Sequence, residues 1–267
     1  MTTTNGNGHV AVTTNGHTRP VVTVGVSAGD DGNRRPQKTA ERVAADIVRD
    51  LVAEGLRTGD HLPLEAAMVE RYHASRASVR EALRLLEVQG LIHLKPGPGG
   101  GPVVGQVDPA NLARTSTLYF HLSGATYEAV LRAQAALEPI CAQLAARHPS
   151  RRDAMQRFLV PAGLRTTSEY RRHTEDFHAT VYRLAGNPIM SLLTQAVTRI
   201  ITDHVVATMD PVELRGAILH EHAALARAIA GGQPEIAGRL MAEHLAAQHD
   251  YYRRNAPQRL TELVEWR

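Results

Sequence analysis

Apolar positions recur along this chain mostly with the period of a helix. Between Ala40 and Leu56, Val43, Ile47, Leu51 and Val52 share one side, which predicts an amphipathic helix. Thr58-Gly59-Asp60-His61-Leu62-Pro63 interrupts the pattern as a turn and short strand, and a short helix is expected from about Leu64 to Tyr72. After a turn at His73-Ala74, Ser75 is a good N-cap, and Val79, Leu83 and Leu86 with Ala82 and Leu85 form the next stripe. Gly90 stands where a glycine ends a helix, and the Gly-rich stretch after it predicts a hairpin. From Asp108 onward the pattern is helical, with helices expected near 109–121, 126–147, 151–160, 167–185, 188–209, 211–230 and 234–254. Asp108-Pro109, Asn187-Pro188 and Asp210-Pro211 read as starts, Gly186 and Gly231-Gly232 as stops. Short joining loops imply helices packed as a roughly antiparallel bundle.

Arg76, Arg80 and Arg84 recur every four residues beside the stripe of the third helix. A helix with its core on one side and guanidinium groups on the other can enter a major groove, where arginine pairs with guanine O6 and N7 or with phosphate. An ordinary surface helix with a solvated charged face carries the same pattern, so the order of elements decides. Helix, short strand, helix, turn, helix and Gly-rich hairpin is the order of a winged helix-turn-helix. The expected fold class is therefore mainly α: an N-terminal winged helix-turn-helix and a C-terminal all-helical bundle. Charge adds little, because the net value is only +3 and residues 38–104 hold nine basic against nine acidic side chains. The argument rests on where the arginines stand.

Three motifs carry a resemblance: Gly59-Asp60-x-Leu62-Pro63-x-Glu65, Ser75-Arg76-x-x-Val79-Arg80-Glu81-Ala82-Leu83, and Gly90-Leu91-Ile92 running into the Gly-rich wing. In this order they resemble the N-terminal domain of GntR-type bacterial transcription regulators. The resemblance implies that Arg76 and Arg80 contact operator DNA, that Ser75 and Ser78 lie near phosphates, and that Lys95 and Gly97 of the wing reach the minor groove or backbone. Arg84 stays open between a phosphate contact and a solvated helix-end residue. Ala66 stands where the family usually has arginine or another polar residue, and Ala77 where a hydroxyl is common. Both differences remove contacts and imply altered sequence preference rather than lost binding.

At 267 residues the chain can bury two cores. The expected division is a disordered arm at 1–37, the winged helix at 38–105, the helical domain at 106–255 and a tail at 256–267. The arm is rich in Thr, Asn and Gly and lacks apolar periodicity. Val21–Val26 within it has strand character without a partner, and Arg34, Arg35 and Lys38 read as a solvated linker. No run reaches the length of a membrane span and no signal-peptide core opens the chain, so a cytoplasmic protein with no membrane partner is expected. The lone Cys141 reads as a buried structural thiol.

Of the 14 histidines, His178, His222 and His244 lie on three different predicted helices, each on an inward side. Three neutral imidazoles in a bundle core can hold a divalent ion. From spacing alone they read as core or surface histidines, since no pair has the i, i+4 signature of a local metal motif, and His220-Glu221-His222-Ala223-Ala224 is not the zinc-protease sequence. Around them, Arg132, Leu137-Glu138-Pro139, Phe177-His178, Gly186-Asn187, His222 with Ile229, and Met241 with His244-Leu245 resemble the FCD ligand-binding domain of the FadR-like branch of the same family. The resemblance implies a zinc-like divalent ion on the three histidines and on an Asp one turn before the first. That position is Thr174 here, with Glu175 sharing its face. It also implies that Arg132 anchors an effector carboxylate, with an ion pair to Glu128 as the alternative role, and that Asn187 is a helix cap and a pocket residue. The expected protein is not an enzyme but a homodimeric regulator, a repressor, released from a two-fold operator by a small acidic metabolite. A metal-free regulator answering to acyl-CoA or fatty acid is the alternative, followed by a metal-dependent enzyme fused to a DNA-binding domain.

Overall fold

The structure, a computed structural model, describes residues 2–4, 10–12, 39–97, 99–164, 166–207 and 212–266. The expectations for Val21–Val26, for Arg34, Arg35 and Lys38, and for the Asp210-Pro211 start lie outside the described residues. Within the segment expected to be a disordered arm, β1 (Thr2–Thr4) and β2 (Val10–Val12) pair antiparallel. The chain divides into two compact units between Asn111 and Leu112.

The first unit is a winged helix-turn-helix. Helices α1 (Thr39–Ala53), α2 (Glu65–Arg71) and α3 (Arg76–Val88) close over Val43, Ile47, Leu62, Met68, Val79, Leu83, Leu86 and Ile92. The side chain of Ser75 caps α3 by accepting from the Ser78 amide at 3.1 Å, as the sequence predicts. Strands β3 (Ile92–Lys95) and β4 (Gly101–Val104) form the wing hairpin, with Ile92 opposite Val104 and Lys95 opposite Gly101. The short strand expected between Thr58 and Pro63 shrinks to one bridge, His61 to Val103.

The second unit is helical. It contains α4 (Pro109–Leu122), which begins just before the division, then α5 (Tyr127–Ala145), α6 (Arg151–Met155), α7 (Thr167–Leu184), α8 (Pro188–Ile201), α9 (Arg215–Ala230), α10 (Pro234–Asn255) and α11 (Pro257–Thr261). Helix α5 is central and packs against α7, α8, α9 and α10. Thr166 and Glu169 form a reciprocal capping box at the start of α7, and the Asn187 side chain accepts from the Ile189 and Met190 amides to start α8.

Two expectations need correction. Helix α8 does not run regularly to 209: residues Thr202–Val206 widen into a π-helical turn, a geometry without a period in the sequence. The expected tail at 256–267 is structured: it forms α11 and buries Leu260 and Val264. Arg259 lies over the Tyr127 ring, 4.5 Å from its centroid, and donates to the His204 carbonyl at 3.0 and 3.1 Å.

Gly90 ends α3 with φ of +71°, and a Cβ there would fall 2.0 Å from the Asn111 side chain. Gly90→Ala is expected to destabilise the protein by roughly 1–3 kcal/mol through backbone strain and this clash. Denaturant unfolding of the full chain measures it, and an unchanged midpoint contradicts the role given to this glycine.

Candidate functional site

Helix α3 buries Val79, Ala82, Leu83 and Leu86, which leaves Arg76, Arg80 and Arg84 exposed on the opposite side. Ser75 is exposed and Ser78 half-buried; beside the capping bond, their hydroxyls lie 3.0 Å apart. Lys95 and Gly97 are exposed at the end of the wing hairpin. Arg80 Nε donates to Glu65 Oε2 at 2.8 Å, so the glutamate of the Leu-Pro-x-Glu motif orients this arginine. Both partners are solvated, and such a pair contributes roughly 0–1 kcal/mol. A bidentate guanine contact discriminates by about 1–3 kcal/mol, so DNA can take the guanidinium from Glu65.

In the helical unit α7, α9 and α10 bring His178, His222 and His244 together. All three are buried, and one ring nitrogen of each lies within 4.8 Å of the other two. The Nε2 atoms of His222 and His244 are 3.3 Å apart. Zinc–nitrogen bonds of about 2.0–2.1 Å in a tetrahedral shell need a separation of about 3.4 Å, so this edge already fits an ion and His178 has a short distance to close.

The outer nitrogens of two rings are held by carboxylates. His178 Nδ1 donates to Glu138 Oε2 at 2.8 Å, and His244 Nδ1 donates to Glu221 Oε2 at 2.7 Å. This pattern fixes the tautomer and leaves Nε2 of each ring with its lone pair, as metal-ligating histidines require. Burial holds both His222 and His244 below the usual histidine range, well below it for His222, and the neighbouring histidine charges add to this. Both are therefore neutral near pH 7 and suited to ligate. His222 stacks on Phe177 at 4.1 Å, and its buried Nδ1 has no hydrogen-bond partner.

Glu138 is fully buried. It accepts from His178, from Gln134 Nε2 at 2.6 Å and from Thr198 Oγ1 at 3.0 Å. Burial pushes its carboxyl up, but the charge and hydrogen bond of His178, with hydrogen bonds from Tyr182 and Gln134, outweigh this and bring it down to about 2. His249 Nε2 in turn donates to Gln134 Oε1 at 3.1 Å.

Beside the triad is a cavity of about 80 Å³, reached by Gln134, Thr174, His178, Thr198, Thr202 and Gln248, with Tyr170, Ile201, Leu245 and Tyr252 as apolar walls. Exposed Arg171 and Glu175 also line it. Thr174 Oγ1 is buried without a hydrogen-bond partner, so the side chain in the expected aspartate position is a spare neutral oxygen at the cavity. The three nitrogens fit a divalent ion, and Thr174 adds no charge to it. The π-helical turn supplies Thr202 and Val206 to the same wall.

The structure does not bring Arg132 and Asn187 to this cavity. Arg132 is exposed on α5 and does not line the cavity, and Glu128 pairs with Arg253 at 3.0 Å instead. Asn187 is exposed and committed to the α8 cap. Gln134, Arg171 and Gln248, which sequence reasoning did not single out, line the cavity. Gln248 follows His244 by one turn as Thr174 precedes His178, and that spacing was the available signal.

A winged helix with an arginine face, followed by a helical domain with a buried histidine cluster beside a small cavity, is the build of a transcription regulator. Comparison with known proteins agrees. Residues 39–100 match the family model "Bacterial regulatory proteins, gntR family", and residues 129–247 match the FCD domain. The chain is 31% identical over 221 residues to the HTH-type transcriptional regulator RmpR of Mycobacterium gastri, covering 79% of this chain and 77% of the relative. It is 23% identical over 246 residues to the HTH-type transcriptional repressor NanR of Enterobacter sp. (strain 638), covering 82% and 88%. A solved structure of a Streptococcus agalactiae GntR protein has the same fold, with a TM-score of 0.59 at 18% identity over 79% of this chain and 99% of that one. The chain belongs to the GntR family and carries its FCD domain. These families and relatives are transcription regulators, not enzymes. Among the described residues no helix is long and apolar enough to cross a membrane.

Two expectations follow. Arg80→Ala should weaken operator binding by roughly 1–3 kcal/mol and relax preference at one position per half-site, whereas Arg84→Ala should weaken it evenly across sequences; selection of bound sequences at matched salt compares them, and unchanged affinity of the Arg80 variant contradicts the assignment. Burial, helped by Arg253, lowers His249 to about 4. A neutral buried histidine contributes stability that is complete above its unfolded value near 6.5 and is lost as pH falls towards 4. With chelator present, His249→Gln should lose roughly 2–3 kcal/mol of the stability difference between pH 7 and pH 4; an unchanged slope of stability against pH contradicts the shift.

Proposed function

We propose that this chain is a homodimeric cytoplasmic repressor that leaves a two-fold operator when a small acidic metabolite binds beside a divalent ion on His178, His222 and His244. The observation that carries the sensing half is the buried histidine cluster adjoining a small cavity with polar groups in its wall. Helix α3 and the wing supply DNA contacts through Arg76, Arg80, Arg84, Ser75, Ser78, Lys95 and Gly97. Dimerisation would put one α3 on each half-site, so that the second arm binds at high effective concentration. NanR, a repressor by name, supports repression as the direction of control.

When bound, the ion would offer Lewis acidity to an oxygen ligand of the metabolite. The chain's own residues do the rest: Glu138 and Glu221 hold two of the imidazoles, Gln134 and Thr198 hold Glu138, and Thr174 and Gln248 line the cavity where a polar ligand would sit. The metal-free acyl reading finds less support. A dry cavity of about 150 Å³ holds one benzene, and this one is about half that size, although its lining is more apolar than polar. A long acyl chain exceeds it.

The test combines metal analysis with operator release. Replacing any one of His178, His222 or His244 with Ala should sharply reduce bound metal, because each supplies a quarter or more of a small coordination shell. Thr174→Asp should tighten metal binding by adding a charged ligand. Arg132→Ala should leave metal content unchanged and, given its exposure, effector response as well. Unaltered metal stoichiometry in the histidine variants contradicts the proposal.

A further inference from the structure

The wing hairpin is held along both of its edges. On one side β4 bonds to the segment after α1: the Gly59 amide donates to the Val104 carbonyl, the Leu62 amide to the Pro102 carbonyl and the Val104 amide to the Asp60 carbonyl, each at 2.9 Å. On the other side β3 is an edge strand. Leu94 stands opposite Pro102, whose carbonyl turns outward to Leu62, so the Leu94 amide also points away from its partner strand. That amide donates at 3.1 Å to Glu87 Oε1, from the last turn of α3. Apolar packing of this strand is incomplete. An open recess of about 560 Å³ lies between the wing and helices α2 and α3, lined by Leu64, Arg76, Leu83, Leu94, Lys95 and Gly101, and Leu94 is 40% exposed.

On electrostatic grounds alone a carboxylate is a poor choice at this position. It lies at the negative end of the helix dipole, and on a helix that enters DNA it adds to phosphate repulsion. Its bond to the wing offsets both. Resting on the reading of α3 and the wing as the DNA-binding surface, we propose that Glu87 is a positioning residue of that surface: it pins the wing to the C-terminal turn of α3 and so fixes where Lys95 and Gly97 meet the duplex relative to Arg76 and Arg80. A charge-assisted bond to a main-chain amide suits this task, because it holds the strand itself rather than one of its side chains. Lys95 follows Leu94 directly, so a wing released at Leu94 carries Lys95 with it. The action of Glu87 on DNA is indirect, through the wing.

The sign of the effect separates this role from that of a plain surface charge. Removing a repulsive carboxylate should tighten DNA binding in Glu87→Ala and Glu87→Gln alike. A wing clamp predicts a split. The probe is a duplex selected from a random pool by the wild-type full-length protein, titrated at matched salt. Glu87→Ala loses the acceptor and should bind it about three- to tenfold more weakly, whereas Glu87→Gln keeps a carbonyl oxygen and should bind at least as tightly as wild type. The loss should shrink when Glu87→Ala is made in a Lys95→Ala background, because the contact that Glu87 positions is then absent. A full-sized loss in that background marks a role in stability alone and overturns the proposal, as do equal effects of the two Glu87 variants in either direction or an unchanged affinity of Glu87→Ala. Unchanged affinity of Lys95→Ala and of Arg80→Ala overturns the DNA-binding surface itself, and this proposal with it.

Discussion

A carboxylate buried without a partner costs far more than a folded domain can absorb, and the helical unit is organised around meeting that demand at Glu138. The side chain is fully enclosed on the central helix, and partners reach it from three helices: Gln134 from its own, His178 from α7 and Thr198 from α8. Tyr182 closes the set through Thr198, 3.0 Å away. The depressed carboxyl shows that these contacts outweigh the cost of burial. The network fixes the ring of His178, and with it one corner of the triad.

The second corner uses the same device at lower burial. Glu221 is part-exposed, with 37% of its side chain accessible, and holds His244. His222 has no carboxylate: its ring is set by stacking on Phe177 and by the Nε2 contact to His244. Two charged orienters and one apolar one leave the nitrogens within metal range of each other. The DNA-binding unit shows a weaker form of the same principle. Glu65 holds Arg80 at the surface, where solvent keeps the pair exchangeable for a base. Buried pairs define a shape, and exposed pairs remain available for partners.

Much of this was legible in the sequence because it depends on period and punctuation. The stripe of α3, its Ser75 cap and Gly90 stop, and the starts at Pro109, Pro188 and Pro234 all stand close to where the pattern puts them. The histidines were inward because their helices are amphipathic, but three residues on separate helices share no local spacing, and the resemblance made them a set. The π-helical turn at Thr202 was invisible for want of a period. Arg132 lies away from the cavity for a geometric reason. It stands two positions before Gln134, about 200° around a helix, so both cannot face the cavity, and the structure turns Gln134 inward. The anchoring role of Arg132 came from the family resemblance, which carries no information about which face of α5 meets this cavity. Gln248 was overlooked because glutamine carries no charge to draw attention.

The central claim is that three imidazoles held by Glu138, Glu221 and Phe177 form a site for a divalent ion in the sensor domain. Anomalous diffraction from crystals grown with zinc, recorded on both sides of the zinc edge, tests it most directly. The account predicts one strong peak in each helical domain, about 2.0–2.1 Å from a nitrogen of His178, His222 and His244. Zinc found elsewhere, with no peak at the triad, would contradict it.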